Sequence, residues 1–94
     1  MNKVYISSHV NESLLSPGLS GHETKDAVEI IDSLRKGNLE QSQIVFPDNS
    51  PGGGLRAINT DYLRILFRYD PEQRTVMVAD VLPLAQQDAL AMTA

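Results

Sequence analysis

The chain has 94 residues, a formal net charge of −4 and no cysteine. That length fits one domain with a shallow core or small cleft, not a large cofactor-binding fold. Disulfides and thiolate metal sites are excluded, the acidic balance argues against nucleic-acid binding by the whole surface, and no apolar run approaches the ~18 residues of a membrane span.

In chain order, residues 2–7 read as a short strand with Val4 and Ile6 on one face and Tyr5 on the other. This start is too short and polar for a signal peptide, so a soluble cytoplasmic protein is expected. Residues 8–21 are polar and rich in breakers, which predicts a loop, or one helical turn around Glu12–Leu15. From His22 to Lys36 the pattern turns helical. Ala27, Ile30, Ile31 and Leu34 fall on one face of a 3.6-residue period. Ser20 and Glu23 have capping-box spacing, Arg35 and Lys36 suit the last turn, and Gly37-Asn38 stops the helix. His22 is expected to be a solvated residue near the helix start.

Gln43 to Phe46 is a candidate strand or apolar anchor. Pro47 to Gly54 is a flexible loop by composition, with its glycines at 52–54. It lacks the Gly-Lys-Ser/Thr ending and strand-to-helix setting of a phosphate-binding loop. Leu55 to Ile58 starts a strand, and Asn59-Thr60-Asp61 turns it into the next one. From Pro83 to Ala94 the chain reads as a weak helix or a tail.

The stretch from Tyr62 to Val81 is a hairpin signal: two runs of β-branched and aromatic residues around Asp70-Pro71-Glu72-Gln73. With that loop, Tyr69 faces Arg74, Phe67 faces Val76 and Ile65 faces Val78. Alternation puts Leu63, Ile65, Phe67, Tyr69, Val76 and Val78 on a core face. The other face holds Arg64, Leu66, Arg68, Thr75, Met77 and Ala79. The expected class is α+β: an antiparallel sheet of three to four strands covered by one main helix.

The basic residues are uneven. Arg56, Arg64, Arg68 and Arg74 are half of the eight lysines and arginines, and all lie in or beside the expected sheet. His9 and His22 make no metal-ligand spacing. The serines have no paired His–acid spacing, which argues against a hydrolase. No metal and no cofactor is expected.

Three stretches carry a resemblance. They are Leu55-Arg56, Tyr62-Leu63-Arg64-Ile65-Leu66-Phe67-Arg68-Tyr69-Asp70, and Arg74-Thr75-Val76-Met77-Val78-Ala79-Asp80-Val81, and the helix centred on Ile30-Ile31-Asp32-Ser33-Leu34 fits beside them. The chain resembles the RelE/ParE superfamily of bacterial toxin–antitoxin toxins. The resemblance implies a toxin of a type II module, neutralised by a cognate antitoxin, and a ribosome-dependent mRNA interferase that inhibits translation. In such an endoribonuclease the 2′-hydroxyl attacks the neighbouring phosphate. The resemblance makes Arg64 and Arg56 the catalytic candidates, with Arg68 and Arg74 binding substrate. After the last strand, where nuclease members carry further basic residues and a Tyr or His, this chain reads Leu82-Pro83-Leu84-Ala85-Gln86-Gln87. Two alternatives stand beside the nuclease: a ParE-like inhibitor of DNA gyrase, and a non-catalytic domain whose arginine face binds an acidic protein.

Overall fold

A computed structural model describes residues 1–15 and 21–83. The elements are β1 (Lys3–Ile6), α1 (Ser8–Leu15), α2 (Gly21–Arg35), β2 (Gln43–Pro47), β3 (Gly54–Asn59), β4 (Leu63–Asp70) and β5 (Thr75–Pro83). All five strands join one sheet in the order β1-β5-β4-β3-β2. The expectation of three to four strands is thus corrected to five, because both the N-terminal run and the Gln43 run pair. The sheet is also mixed. β1 runs parallel to β5, while the strands from β2 onward, joined by short connections, pair antiparallel.

α2 forms where the apolar stripe predicts it. Ala27, Ile31 and Leu34 are buried, and Ile30 packs partly against them. Gly37, at φ 95°, ends it. Its amide donates to the Leu34 carbonyl at 3.1 Å and the Asn38 amide to Ser33 at 3.0 Å, a closure that only a left-handed residue allows cheaply. The cap expected from Ser20, and the C-terminal helix or tail after Pro83, fall outside the described residues.

α1 corrects the expected loop or single turn. Its start is set by Ser7, whose Oγ accepts the Val10 amide at 3.2 Å, an N-cap arrangement. Val10 is fully buried in the same cluster as α2. Ser8, Asn11 and Ser13, polar residues that argue for a loop by composition, lie within this helix, while Ser16, Pro17 and Gly18 fall outside the described residues.

The β4–β5 hairpin keeps its faces and changes its register. The loop is Pro71 to Arg74, and Asp70 pairs with Thr75. Tyr69 therefore faces Val76 and Phe67 faces Val78. Two local features force this. Arg74 takes φ 50°, a conformation no strand residue adopts. Asp70 Oδ1 accepts the Glu72 and Gln73 amides at 3.0 and 3.3 Å, so Asp70 caps the turn from inside the strand. The slip moves each partner by two, and an even slip leaves every side chain on its face. A bulge at Ala79 then changes the parity of β5. Ile65 faces Val81 rather than Val78, and both valines are buried although they are three positions apart. Leu63, Ile65, Phe67 and Val76 are fully buried on this face, against Val10 and α2.

Candidate functional site

The reverse face of the sheet holds the candidate site. Strand pairing carries one row across all five strands: Tyr5 beside Met77, Met77 beside Arg68, Arg68 beside Leu55, Leu55 beside Phe46. At a strand spacing of ~4.8 Å the row is about 19 Å long. Tyr5, Met77 and Phe46 are 56, 58 and 66% exposed. Single exposed apolar residues are ordinary, but a row of them around one guanidinium is not.

Arg64 and Arg68 stand on this face together, because β4 alternates without interruption. Four positions separate them, about 13 Å at 3.3 Å per residue. Arg64 pairs with Asn59 and Leu82. Its Nε is shielded from solvent and has no hydrogen-bond partner among the described residues. A shielded donor without a partner is costly, and a ligand that accepts from it removes that cost.

Arg68 is held differently. Its Nη1 donates to Asp48 Oδ2 in an ion pair that bridges β4 to the loop after β2. Asp48 also takes the Ser50 amide on Oδ1 at 2.8 Å. The Ser50 hydroxyl, then Arg68, then the Ser50 amide lower the Asp48 carboxyl from 3.8 to about 2. The guanidinium in the middle of the face thus already carries a bound carboxylate.

Arg56 is not part of this set. It pairs with Phe67 on the helix-covered face. Its Nη1 donates to Ser42 Oγ and its Nη2 to the Gly52 carbonyl, each at 3.3 Å. Arg74 sits in the hairpin loop at the far end of β4 from Arg64, about 20 Å along the strand. Its carbonyl accepts the Lys3 amide at 2.8 Å.

The glycine-rich loop is shaped by close contact. A Cβ on Gly52 would lie 1.8 Å from the Tyr69 carbonyl oxygen. One on Gly54, which has φ 132°, would lie 2.1 Å from the Phe46 carbonyl. These glycines let the loop lie directly on the backbone of β4 and β2. Beside it a cavity of about 600 Å³ opens over β1, β5 and β4, lined among others by Lys3, Tyr5, Ser50, Pro51, Arg68 and Met77. A second hollow of about 270 Å³ shares Tyr5, Arg68 and Met77 with it.

The fold adds one pair that local spacing does not signal. His9 Nε2 of α1 lies 4.0 Å from Asp80 Oδ1. Asp80 pairs with Leu66, the residue midway between Arg64 and Arg68. His22 is exposed, as expected, and stacks on Tyr62 with ring centres 5.4 Å apart. No group of three or more His, Asp or Glu among the described residues is placed to hold a metal ion. No helix among them is long and apolar enough to cross a membrane.

No family model and no curated protein matches the chain by sequence. Solved structures do match it by shape. A chain of the toxin–antitoxin complex RelBE2 from Mycobacterium tuberculosis superposes with a TM-score of 0.70 at 19% identity, over 87% of this chain and 96% of that one. A chain of the archaeal RelE–RelB complex from Pyrococcus horikoshii gives a TM-score of 0.72 at 13% identity, over 87% and 93%. With so few identical residues, what is shared is backbone architecture, and by that measure the chain has a RelE-like fold.

Proposed function

We propose that the chain is the toxin of a type II toxin–antitoxin module, a ribosome-dependent mRNA interferase that a cognate antitoxin neutralises. The observation that carries this is the open sheet face of a RelE-like fold with Arg64 and Arg68 on the same face of one strand, four positions apart. RNA cleavage by the 2′-hydroxyl gathers negative charge on the phosphate oxygens, and fixed guanidinium donors stabilise that charge. Arg64, on the open face of β4, is the clamp at the reacting phosphate. Arg68 binds a neighbouring part of the strand. Arg56 faces the other way and braces the loop. His9, whose Nε2 lies 4.0 Å from Asp80 Oδ1, is the proton-transfer group on this face: the imidazole exchanges a proton with the attacking or leaving oxygen.

An antitoxin has two surfaces to use. One is the exposed row from Tyr5 to Phe46. The other is the outer edge of β2, which ends the sheet among the described residues and where a further strand can pair. That apolar row also favours a second reading, a domain that binds protein and cuts nothing. Inducible expression in bacteria separates the two. The toxin reading expects growth arrest, relief of the arrest by Arg64→Ala, and relief by co-expression of an antitoxin. Normal growth on induction of a folded wild-type chain would leave the protein-binding domain standing. Arrest by Arg64→Ala as strong as by wild type would remove Arg64 from the chemistry and favour a gyrase-type target.

A further inference from the structure

Arg68 and its surroundings show more than a generic cation on a sheet. The guanidinium is bonded to a carboxylate brought by a loop, not by a neighbouring strand. The single carboxylate oxygen on Arg68 Nη1 stands where one phosphate oxygen would accept from it. Asp48 thus marks where an anion sits against Arg68. Beside that position lies a cavity of about 600 Å³, within the ~300–1,000 Å³ of small-ligand sites. Its floor includes Tyr5 and Met77, both more than half exposed. Lys3, two positions before Tyr5 on the same face, supplies a second cation at the rim. Ser50 and Pro51 form the wall from the loop side. Asp70 also borders the cavity, but its Oδ1 is engaged by the Glu72 and Gln73 amides.

We propose that this groove is a subsite for one unpaired nucleotide, with its phosphate on Arg68 in place of the Asp48 carboxylate and its base against Tyr5 and Met77. It rests on the RNA reading above and adds to it a position away from Arg64 where the strand is held. An aromatic ring exposed on a sheet gives an unstacked base a π-face to lie on, and an adjacent arginine takes the phosphate. A purely apolar peptide would use Tyr5 and Met77 but leave Arg68 with its carboxylate. The nucleotide uses all three, and that favours it. Asp48 is then an internal competitor: it holds the guanidinium in position while the groove is empty and gives way when a phosphate arrives.

The test is an NMR titration of the 94-residue chain with adenosine monophosphate, with adenosine and inorganic phosphate as separate probes. The expected result is that the nucleotide moves the signals of Tyr5, Met77 and Arg68, and that neither half alone binds as well. Asp48→Asn keeps an acceptor for the Ser50 amide but removes the competing charge, so it binds the nucleotide about two- to fivefold tighter, the scale of one exposed ion pair. Arg68→Gln loses the phosphate contribution, and Tyr5→Leu loses the base contribution while inorganic phosphate binds as before. All three positions are exposed, and unchanged amide spectra will show that the variants fold. Nucleotide binding no tighter in Asp48→Asn than in wild type overturns the proposal. Nucleotide shifts that spare Tyr5 and Met77 overturn it too, as does a groove that takes an apolar peptide and not the nucleotide. Growth on induction is scored in parallel. Arrest without nucleotide binding sinks the groove and leaves the toxin; nucleotide binding without arrest keeps the groove and sinks the toxin.

Discussion

Asp48 shows how much a single exposed side chain can reveal. Its carboxyl is lowered to about 2 by Ser50 and Arg68, so the folded state holds its proton less tightly than the unfolded chain at 3.8. The stability this adds is therefore complete above about pH 4 and is lost as pH falls through about 2. Urea midpoints measured across that window should fall less steeply for Asp48→Asn than for wild type. Equal slopes would mean that the Ser50 and Arg68 hydrogen bonds to Asp48 are absent in solution. His9 gives a second test at this scale. His9→Ala should slow RNA cleavage about 10²-fold or more, as loss of a proton-transfer group does, without changing the melting temperature, since the side chain is largely exposed. Arg64 and Arg68 were legible as a pair because alternation along one strand needs no knowledge of the rest of the fold. Arg56 was not, because which face it takes depends on how β3 registers against β4 across a turn. The Asp48–Arg68 tie, between a loop and a strand far apart in the chain, leaves no local pattern at all.

Among the elements, α2 was readable from its stripe and its glycine stop, and the β4–β5 hairpin from its paired apolar runs. The hairpin register was not, because it turns on the left-handed backbone of Arg74 and on a bulge at Ala79, and residue type announces neither. Phe67 is the fully buried centre of this ladder. Phe67→Ala should lower stability by about 3–5 kcal/mol, a large share of the ~5–15 kcal/mol of a small domain, and a denaturant melt measures it. The β2–β3 loop gives the opposite kind of test, in which adding atoms does the damage. A methyl at Gly52 meets backbone, not a movable side chain. Gly52→Ala should therefore destabilise by about 1–3 kcal/mol or more and weaken the Asp48–Arg68 tie by lifting the loop. Gly21→Ala, with open space around its Cβ, is the control that should leave the melt unharmed.

For the molecule as a whole, the sequence supported α+β and the RelE-like architecture but undercounted the strands. Local pattern reports that a strand exists and is silent on its distant neighbour, so the parallel pairing of β1 with β5 could not be read. That pairing matters for the site: it brings Lys3 and Tyr5 beside Met77 and widens the open face by one strand. The same assembly places Lys3, Arg64 and Arg68 on one face of an acidic chain. The central claim is that this face cuts RNA through Arg64, and mapping messenger RNA 5′ ends after induction tests it most directly. New ends within translated codons should accumulate for the wild type and fall about 10²- to 10³-fold for Arg64→Ala, the loss expected on removing one charge-stabilising donor. An RNA end profile unchanged by induction of a folded, growth-arresting wild-type protein would contradict it.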